Sequence, residues 1–341
     1  MDTAKKLKEL IDRSKRPLIT AHIRLDGDAL GSELAIYHAL KAMGKESCII
    51  NDSSIPRVYK FLVKDVETRH WTADTEASLS ADGGSHGFDL AIVVDTPAAD
   101  RVGGLHQIVS SGIPVVNIDH HVCNDNFGDV NMVRTEKCST GEIIFDFFRR
   151  VGIEITPEIA RALYVAIITD TGRFMHRNTT SNTLHTAAYL IDHGADPTDI
   201  GQHLYKTNTC GQLRLLSMAT DTLSFHYNKK IACMQLTREM MRKADTPPID
   251  TQDFADVPAS LEGVEVGVLL REMSEKNMVK ISLRSRDGID VNTIASGFGG
   301  GGHQRAAGFE LEGTIQEVQD RVVAVITKIF ESSEKEEEIL A

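Results

Sequence analysis

Several things are scarce in this sequence, and each scarcity narrows what the chain can be. Its 341 residues hold five cysteines, Cys48, Cys123, Cys138, Cys210 and Cys233, an odd number with no C-x-x-C spacing. That pattern argues against a zinc ribbon or a disulfide framework and points to reduced thiols in the cytoplasm. No apolar run approaches the ~18 residues of a membrane span, so no membrane partner is expected. The opening MDTAKKLKELIDRSKRP reads as a polar amphipathic helix, not as a secretory signal. Positive charge is also short: 37 Lys and Arg face 49 Asp and Glu, a net charge of −12. A protein that tracks long nucleic acid usually carries a basic stripe to neutralise many phosphates. A groove for long duplex DNA is therefore not expected, whereas a small anion held by a few local cations is still allowed. The EKEEE run near the C-terminus reads as a solvated, frayed tail.

What is present is ordered. With 41% apolar and 25% charged residues the composition is that of globular proteins, and the length suits two domains. Through the first half, short apolar runs alternate with helical spacings. Strands are predicted at 17–23, 88–94 and 113–118, the last continuing as VVNIDHHV to residue 122. Helices are predicted at 29–43, 141–150 and 157–169, the last with Thr156 as N-cap, Pro157 in first position and Glu158 in the first turn. This alternation predicts an α/β fold with a doubly wound, mainly parallel sheet. Near 194–197 the rhythm breaks, and 199–223 reads as a polar-faced helical arm. A smaller α/β region follows, with strands at 230–236, 265–271 and 279–284 and helices at 291–296 and 314–330. The expected division is a first domain over 1–195, a helical linker over 196–228, a second domain over 229–333 and an acidic tail over 334–341.

Metal-competent side chains sit where the first-half runs end. His22, Asp26 and Asp28 follow the first strand, Asp95 the second, and Asp119, His120 and His121 the third, while Asp170 ends the helix YVAIITD. Taken singly, each has a structural explanation: a satisfied histidine, an Asp-Gly turn with Asp28 just ahead of a helix, a turn at Asp95-Thr96-Pro97. Taken together, mixed Asp and His at element ends suit two neighbouring divalent cations, manganese first, with magnesium and cobalt as alternatives. Such a pair activates water and holds phosphoryl oxygens in line. A second signal is the run GGGGHQRAAG over 299–308. Its glycines, Gly300, Gly301 and Gly302 among them, let backbone N–H groups approach an anion as a nest. No Gly-Lys-Ser/Thr follows, so it is not a P-loop. With His303 and Arg305 next to it, and Arg284 and Arg286 closing an earlier strand, it reads as a cationic cradle for a substrate phosphate or terminal nucleotide.

In this order, His22/Asp26/Asp28 with Gly31-Ser32, Asp95, Asp119-His120-His121 and Asp170 resemble the four motifs of the DHH phosphoesterase superfamily. GGGGHQRAAG resembles the signature of the DHH-associated C-terminal domain found in the RecJ and nanoRNase branch. The resemblance spans both halves, and at this compact length it is most similar to the nanoRNase A type, bifunctional oligoribonucleases and phosphoadenosine-phosphate phosphatases. It implies an active site in the cleft between a DHH domain and a DHH-associated domain. It implies that His22 and Asp26 bind one cation, Asp28, His120 and Asp170 the other, and that Asp95 bridges them. Under it Asp119 orients a ligand histidine and His121 faces the scissile phosphate or the leaving oxygen, as the two catalytic candidates. Arg284, the glycine run and His303 would hold the far end of the substrate, with Asn292 and Arg305 as further candidates. The implied activity is manganese-dependent hydrolysis of short 5′-phosphorylated oligonucleotides such as pGpG or pApA to nucleoside monophosphates, with removal of the 3′-phosphate of phosphoadenosine phosphate beside it; a homodimer is left open.

Other readings compete. A RecJ-like single-strand exonuclease needs a larger basic channel. A cyclic dinucleotide phosphodiesterase of the superfamily often carries membrane and sensor regions not seen here, although linear dinucleotides fit. An inorganic pyrophosphatase shares the metal motifs without the GGGGH ending. A catalytically silent nucleotide-binding regulatory protein on the same fold is expected to have lost a ligand, and none is missing.

Overall fold

Six short strands rich in Val, Ile and Leu build the first sheet of the computed structural model, which describes residues 2–80, 87–273, 277–286 and 289–340. They are β1 (Pro17–Thr20), β2 (Cys48–Asn51), β3 (Thr68–His70), β4 (Leu90–Val94), β5 (Val115–Asp119) and β6 (Val130–Val133). All pair in parallel, in the order β3-β2-β1-β4-β5-β6. β1, β4 and β5 are buried along their whole length, so apolar residues occupy both faces and no polar alternation is needed. Alternate residues feed two cores: Ile92, Val94, Val116 and Ile118 pack on one side, and Ala91, Val93 and Val115 on the other. β2 and β3 extend the sheet to one side of β1, while β4, β5 and β6 extend it to the other. The chain thus reverses its winding direction between β1 and β4, and open α/β sheets bind ligands beyond the carboxyl ends of strands at such a reversal.

The chain divides into two units, Met1–Thr207 and Asn208–Ala341. The second holds β7 (Ser224–His226), β8 (Ile231–Leu236), β9 (Val266–Glu272), β10 (Met278–Ser285), β11 (Gly301–His303) and β12 (Ala306–Glu312), in the order β11-β12-β10-β9-β8-β7. β8 and β9 pair in parallel and the remaining neighbours antiparallel. β10 alternates buried and half-buried residues, and the closing helix Ile315–Leu340 lays Val318, Val322, Ile326 and Phe330 into the same core. That spacing of four is one stripe of a helix.

Two expectations are corrected. The segment 196–228 is not a separate linker. Helix Pro197–Tyr205 buries Ile200 and Leu204 in the first unit's core, helix Cys210–Thr220 buries Leu215 and Ala219 in the second's, and the division falls between them. The acidic tail continues the last helix to Leu340, glutamate and lysine being good helix formers. Within the glycine run, Gly301 and Gly302 lie in β11 and pair with β12. Among the described residues all five cysteines are free, and no helix is long and apolar enough to cross a membrane.

Candidate metal centre

Four stretches of the first unit converge beyond the carboxyl ends of β1, β4 and β5. His22 follows β1. Its Nδ1 donates to the Ile23 carbonyl at 2.7 Å, since a carbonyl can only accept, and this fixes the ring with Nε2 towards the carboxylates. Nε2 lies 3.4 Å from Asp95 Oδ2 and 3.8 Å from Asp26 Oδ2. Asp26 is the N-cap of helix Gly27–Ala42, its Oδ1 accepting from Ala29 N at 3.0 Å, so one carboxylate serves both the cap and the cluster.

Asp28 lies in the first turn of that helix, not ahead of it as expected, and is 2% exposed. It reaches across to the N-terminus of helix Thr140–Val151, where Oδ2 accepts from Thr140 N at 2.7 Å and Oδ1 from Gly141 N at 2.9 Å. Those are two of the N–H groups every helix start leaves unpaired, and they sit at the positive end of the helix dipole. Ser139 begins this helix by accepting from Glu142 N. The approach needs glycine. A Cβ at Gly31 would meet the Ala162 carbonyl of helix Pro157–Asp170, and one at Gly141 would meet Ala166 of the same helix.

Asp95 ends β4 with φ +51°, a left-handed conformation that Asp adopts more readily than most residues. Its Oδ1 accepts from Thr140 Oγ1 at 3.0 Å. After β5, His120 Nε2 lies 3.6 Å from Asp95 Oδ1, 3.8 Å from Asp28 Oδ2 and 3.9 Å from Asp170 Oδ2. Asp170 closes helix Pro157–Asp170 and accepts from Asn178 Nδ2 at 3.2 Å. Asp119 is fully buried and stands behind the cluster. His121 Nδ1 donates to its Oδ1 at 2.7 Å and Asn124 Nδ2 to its Oδ2 at 2.6 Å.

Among the described residues, donor atoms gather within 4.8 Å of one another in three overlapping groups: His22, Asp26 and Asp95; Asp28, His120 and Asp170; and Asp95, His120 and His121. Asp95 belongs to the first and third groups, and His120, 3.6 Å from its Oδ1, belongs to the second and third. Carboxylate with imidazole is the donor chemistry of hard to borderline divalent cations. The electrostatics agree. Burial, with the neighbouring Asp95 and Asp170 charges adding, raises Asp28 well above the carboxylate range. Burial likewise pushes Asp170 up to about 7. At His22 burial disfavours the charged ring, but the Asp95 hydrogen bond and the Asp26 and Asp95 charges outweigh it and hold the ring at about 10. His121 is raised by Asp119 and Asp95 against the same burial cost. Asp95 alone is held low: burial opposes its charge, and His22, His121 and His120 together overcome that. The cluster thus draws in protons to neutralise crowded charge, and cations can take their place. The residues present fit a pair of divalent cations.

Sequence reading missed Thr140, Asn124 and Asn178, which hold ligand-type side chains, and Glu33, whose buried carboxyl accepts from Asn51 Nδ2 at 2.9 Å. The S-x-x-E pattern of Ser139 and Glu142 announces a helix start. Nothing local says that this start meets Asp28.

In the second unit, Arg284 pairs with Ala306 on β12, which pairs with His303 on β11, so the three stand in one row across adjacent strands. The His303 side chain lies outside the described part of the structure. Arg284 Nε is 2.7 Å from Asp256 Oδ1. Asn292 is the second residue of helix Val291–Gly297, with its backbone N–H donating to the Asp290 cap, and its Oδ1 is the nearest atom to the space beside Gly301. Arg305 lies in the β11–β12 turn, its carbonyl accepting from Ser285 N at 3.0 Å. A Cβ at Gly300 would strike Gly308 and Phe309, and one at Gly302 would strike Ala306 and Ala307. Close packing of the hairpin thus gives those two glycines a structural role.

The N-terminal domain of the DHH family matches residues 16–167, and the DHHA1 domain matches residues 228–332. The chain is similar to the bifunctional oligoribonuclease and PAP phosphatase NrnA of Thermus thermophilus, with 34% identity over 309 residues, 90% of this chain and 88% of that one. It is 27% identical over 295 residues to a protein of Streptococcus mutans named as a probable enzyme of the same kind, covering 85% and 88% of the two chains. An exopolyphosphatase-related protein from Bacteroides fragilis of known structure shares the fold with a TM-score of 0.89 at 26% identity, covering 96% of this chain and 97% of that one.

Proposed function

The chain belongs to the DHH family, and we propose that it is a manganese-dependent cytoplasmic phosphodiesterase. It hydrolyses short 5′-phosphorylated oligonucleotides to nucleoside monophosphates and also removes the 3′-phosphate of phosphoadenosine phosphate. The observation that carries this reading is the shared position of Asp95 in two adjoining donor groups. It occurs in a chain aligned over 90% of its length with a protein named for both activities. When bound, a cation pair neutralises phosphoryl charge and lowers the pKa of attacking water. His22 and Asp26 would hold one cation of the pair, Asp28, His120 and Asp170 the other, and Asp95 would serve both. Asp119 fixes the His121 ring through Nδ1 and raises its proton affinity, which suits Nε2 to protonate the leaving 3′ oxygen. Arg284, Asn292, Gly300, Gly301, Gly302, His303 and Arg305 are assigned to the far end of the substrate. For Arg284 this requires an anionic group to share or displace its Asp256 partner.

The test is hydrolysis with manganese across a panel: pGpG and pApA, a 5′-phosphorylated ladder of increasing length, phosphoadenosine phosphate and pyrophosphate. Activity highest on dinucleotides and falling with length is expected. Flat or rising activity with length would point to a RecJ-like exonuclease. Turnover of pyrophosphate alone would overturn the assignment of the second unit, and no turnover at all would favour a nucleotide-binding regulatory protein.

A further inference from the structure

We propose that Thr140 is a positioning residue whose hydroxyl fixes the plane of the Asp95 carboxylate, so that one oxygen faces each half of the cation pair; this rests on the cation-pair reading above. Thr140 is fully buried at the first position of helix Thr140–Val151. Its Oγ1 donates to Asp95 Oδ1 at 3.0 Å and its backbone N–H to Asp28 Oδ2 at 2.7 Å. Those are the two oxygens nearest His120 Nε2, at 3.6 Å and 3.8 Å, whereas the other oxygen of Asp95, Oδ2, faces His22 at 3.4 Å.

The two oxygens of a carboxylate are equivalent, so what a neighbour can fix is the rotation of the group about its last bond. Against a carboxylate the Thr140 hydroxyl can only donate, so it holds one oxygen on its own side and turns the other to His22. It is well placed to do so because a β-branched side chain in a helix has few χ1 choices. The backbone is pinned as well, through Asp28 and through the close contact of Gly141 with Ala166. One residue therefore ties Asp28, in one donor group, to Asp95, which the other two groups share.

The test is manganese binding to the full chain without substrate, by calorimetry and by electron paramagnetic resonance. Thr140→Ser keeps the hydroxyl and Thr140→Val keeps the shape. Removing a group that orients a metal ligand typically costs 10–100-fold in affinity. Thr140→Val is therefore expected to bind the second manganese about 10–100-fold more weakly and to show isolated-ion lines where wild type shows an exchange-coupled pair. Thr140→Ser is expected to keep the coupled signal. If Thr140→Val does not fold, Thr140→Ala takes its place against Thr140→Ser. A hydroxyl-free variant that binds a coupled pair as wild type does, or a serine variant as damaged as the hydroxyl-free one, overturns the proposal. A wild-type chain that takes up no manganese pair overturns this inference together with the cation-pair reading. One that takes up the pair but cleaves no dinucleotide overturns only the proposed substrate.

Discussion

Chelation should make this protein less stable as pH rises, and the Asp170→Asn variant should lose part of that dependence. Without a cation the Asp170 carboxyl is held at about 7, chiefly by burial, with the Asp95 and Asp26 charges adding and His120 opposing. In an unfolded chain an aspartate titrates near ~3.9. The folded chain therefore keeps a proton that the unfolded chain has released, and stability falls as pH climbs from the unfolded value through the folded one. A gap of roughly three pH units is worth ~4 kcal/mol once both titrations are complete. About 1.5 kcal/mol of that is already gone at pH 5, which leaves ~3 kcal/mol to be lost by pH 8. His22 acts in the same sense. Its ring is held at about 10, so its contribution is full below ~6.5 and fades as pH rises towards the folded value. Asp95 is held low, and its contribution is present above ~4 and lost only in stronger acid. For a unit of 207 residues, 3 kcal/mol is roughly 6–12 °C in the unfolding midpoint. Thermal unfolding in EDTA, followed by circular dichroism from pH 5 to pH 8, measures it. The wild-type midpoint should fall across this range and the Asp170→Asn midpoint should fall less, because an amide does not titrate there. Added manganese should reverse the trend, since it competes with the same protons. A chelated wild-type midpoint that is flat or rises, or equal slopes in the two proteins, would refute the reasoning.

Asp95→Ala removes the carboxylate that two of the three donor groups share and is expected to abolish hydrolysis of every substrate; substantial turnover with clean metal would sink the proposed bridging role. His303→Ala should weaken dinucleotide binding far more than turnover of a small chromogenic phosphodiester, and equal losses would make the β11 hairpin purely structural. Glu33 is pushed up to about 8 by burial, with Asn51 and His22 opposing, so it is neutral at pH 7. Glu33→Gln should then be nearly silent in urea denaturation at pH 7, while Glu33→Leu strands the Asn51 amide at a cost of about 1–3 kcal/mol; matching losses would contradict this. Gly300→Ala should destabilise the second unit because its Cβ meets Gly308 and Phe309, whereas Gly301→Ala has room for its Cβ and should leave the melting midpoint in place. Comparing the two midpoints by calorimetry decides whether packing sets the glycine at 300.

The parts of the fold legible in the sequence are those written in local periodicity. β1, β4 and β5 are mostly apolar and buried throughout because both faces of the sheet are covered, and His22, Asp95 and the Asp119–His121 triplet stand at their polar ends. β3 spans three residues and is mostly exposed, so it has no run to detect. β11 is Gly-Gly-His, a composition that argues against a strand until β12 is there to pair with it. The two helices read as a connecting arm show the same limit. Each has its own apolar pair, Ile200 with Leu204 and Leu215 with Ala219, but periodicity does not say which core receives it. The holders of the cluster were invisible for a related reason. Thr140 lies 112 residues from Asp28 and 45 from Asp95, and only the packing of Gly31 and Gly141 against helix Pro157–Asp170 brings them together.

Asp26 and Asp28 show why residue type alone could not separate a cap from a ligand. An aspartate is the natural choice for both tasks, since each asks for an oxygen that accepts. Burial separates them. Asp26 caps its helix with its side chain 54% exposed, where water helps to carry the charge. Asp28, 2% exposed, has no such help, and the fold offers it the Thr140 and Gly141 N–H groups in place of solvent. Those bonds do not cancel the effect of burial and of the Asp95 and Asp170 charges, for the carboxyl is still raised well above its ordinary range. Asp28 and Asp170, both raised, therefore work against the stability of the metal-free chain. A cation that replaces their protons removes that opposition, so its binding energy is in part folding energy.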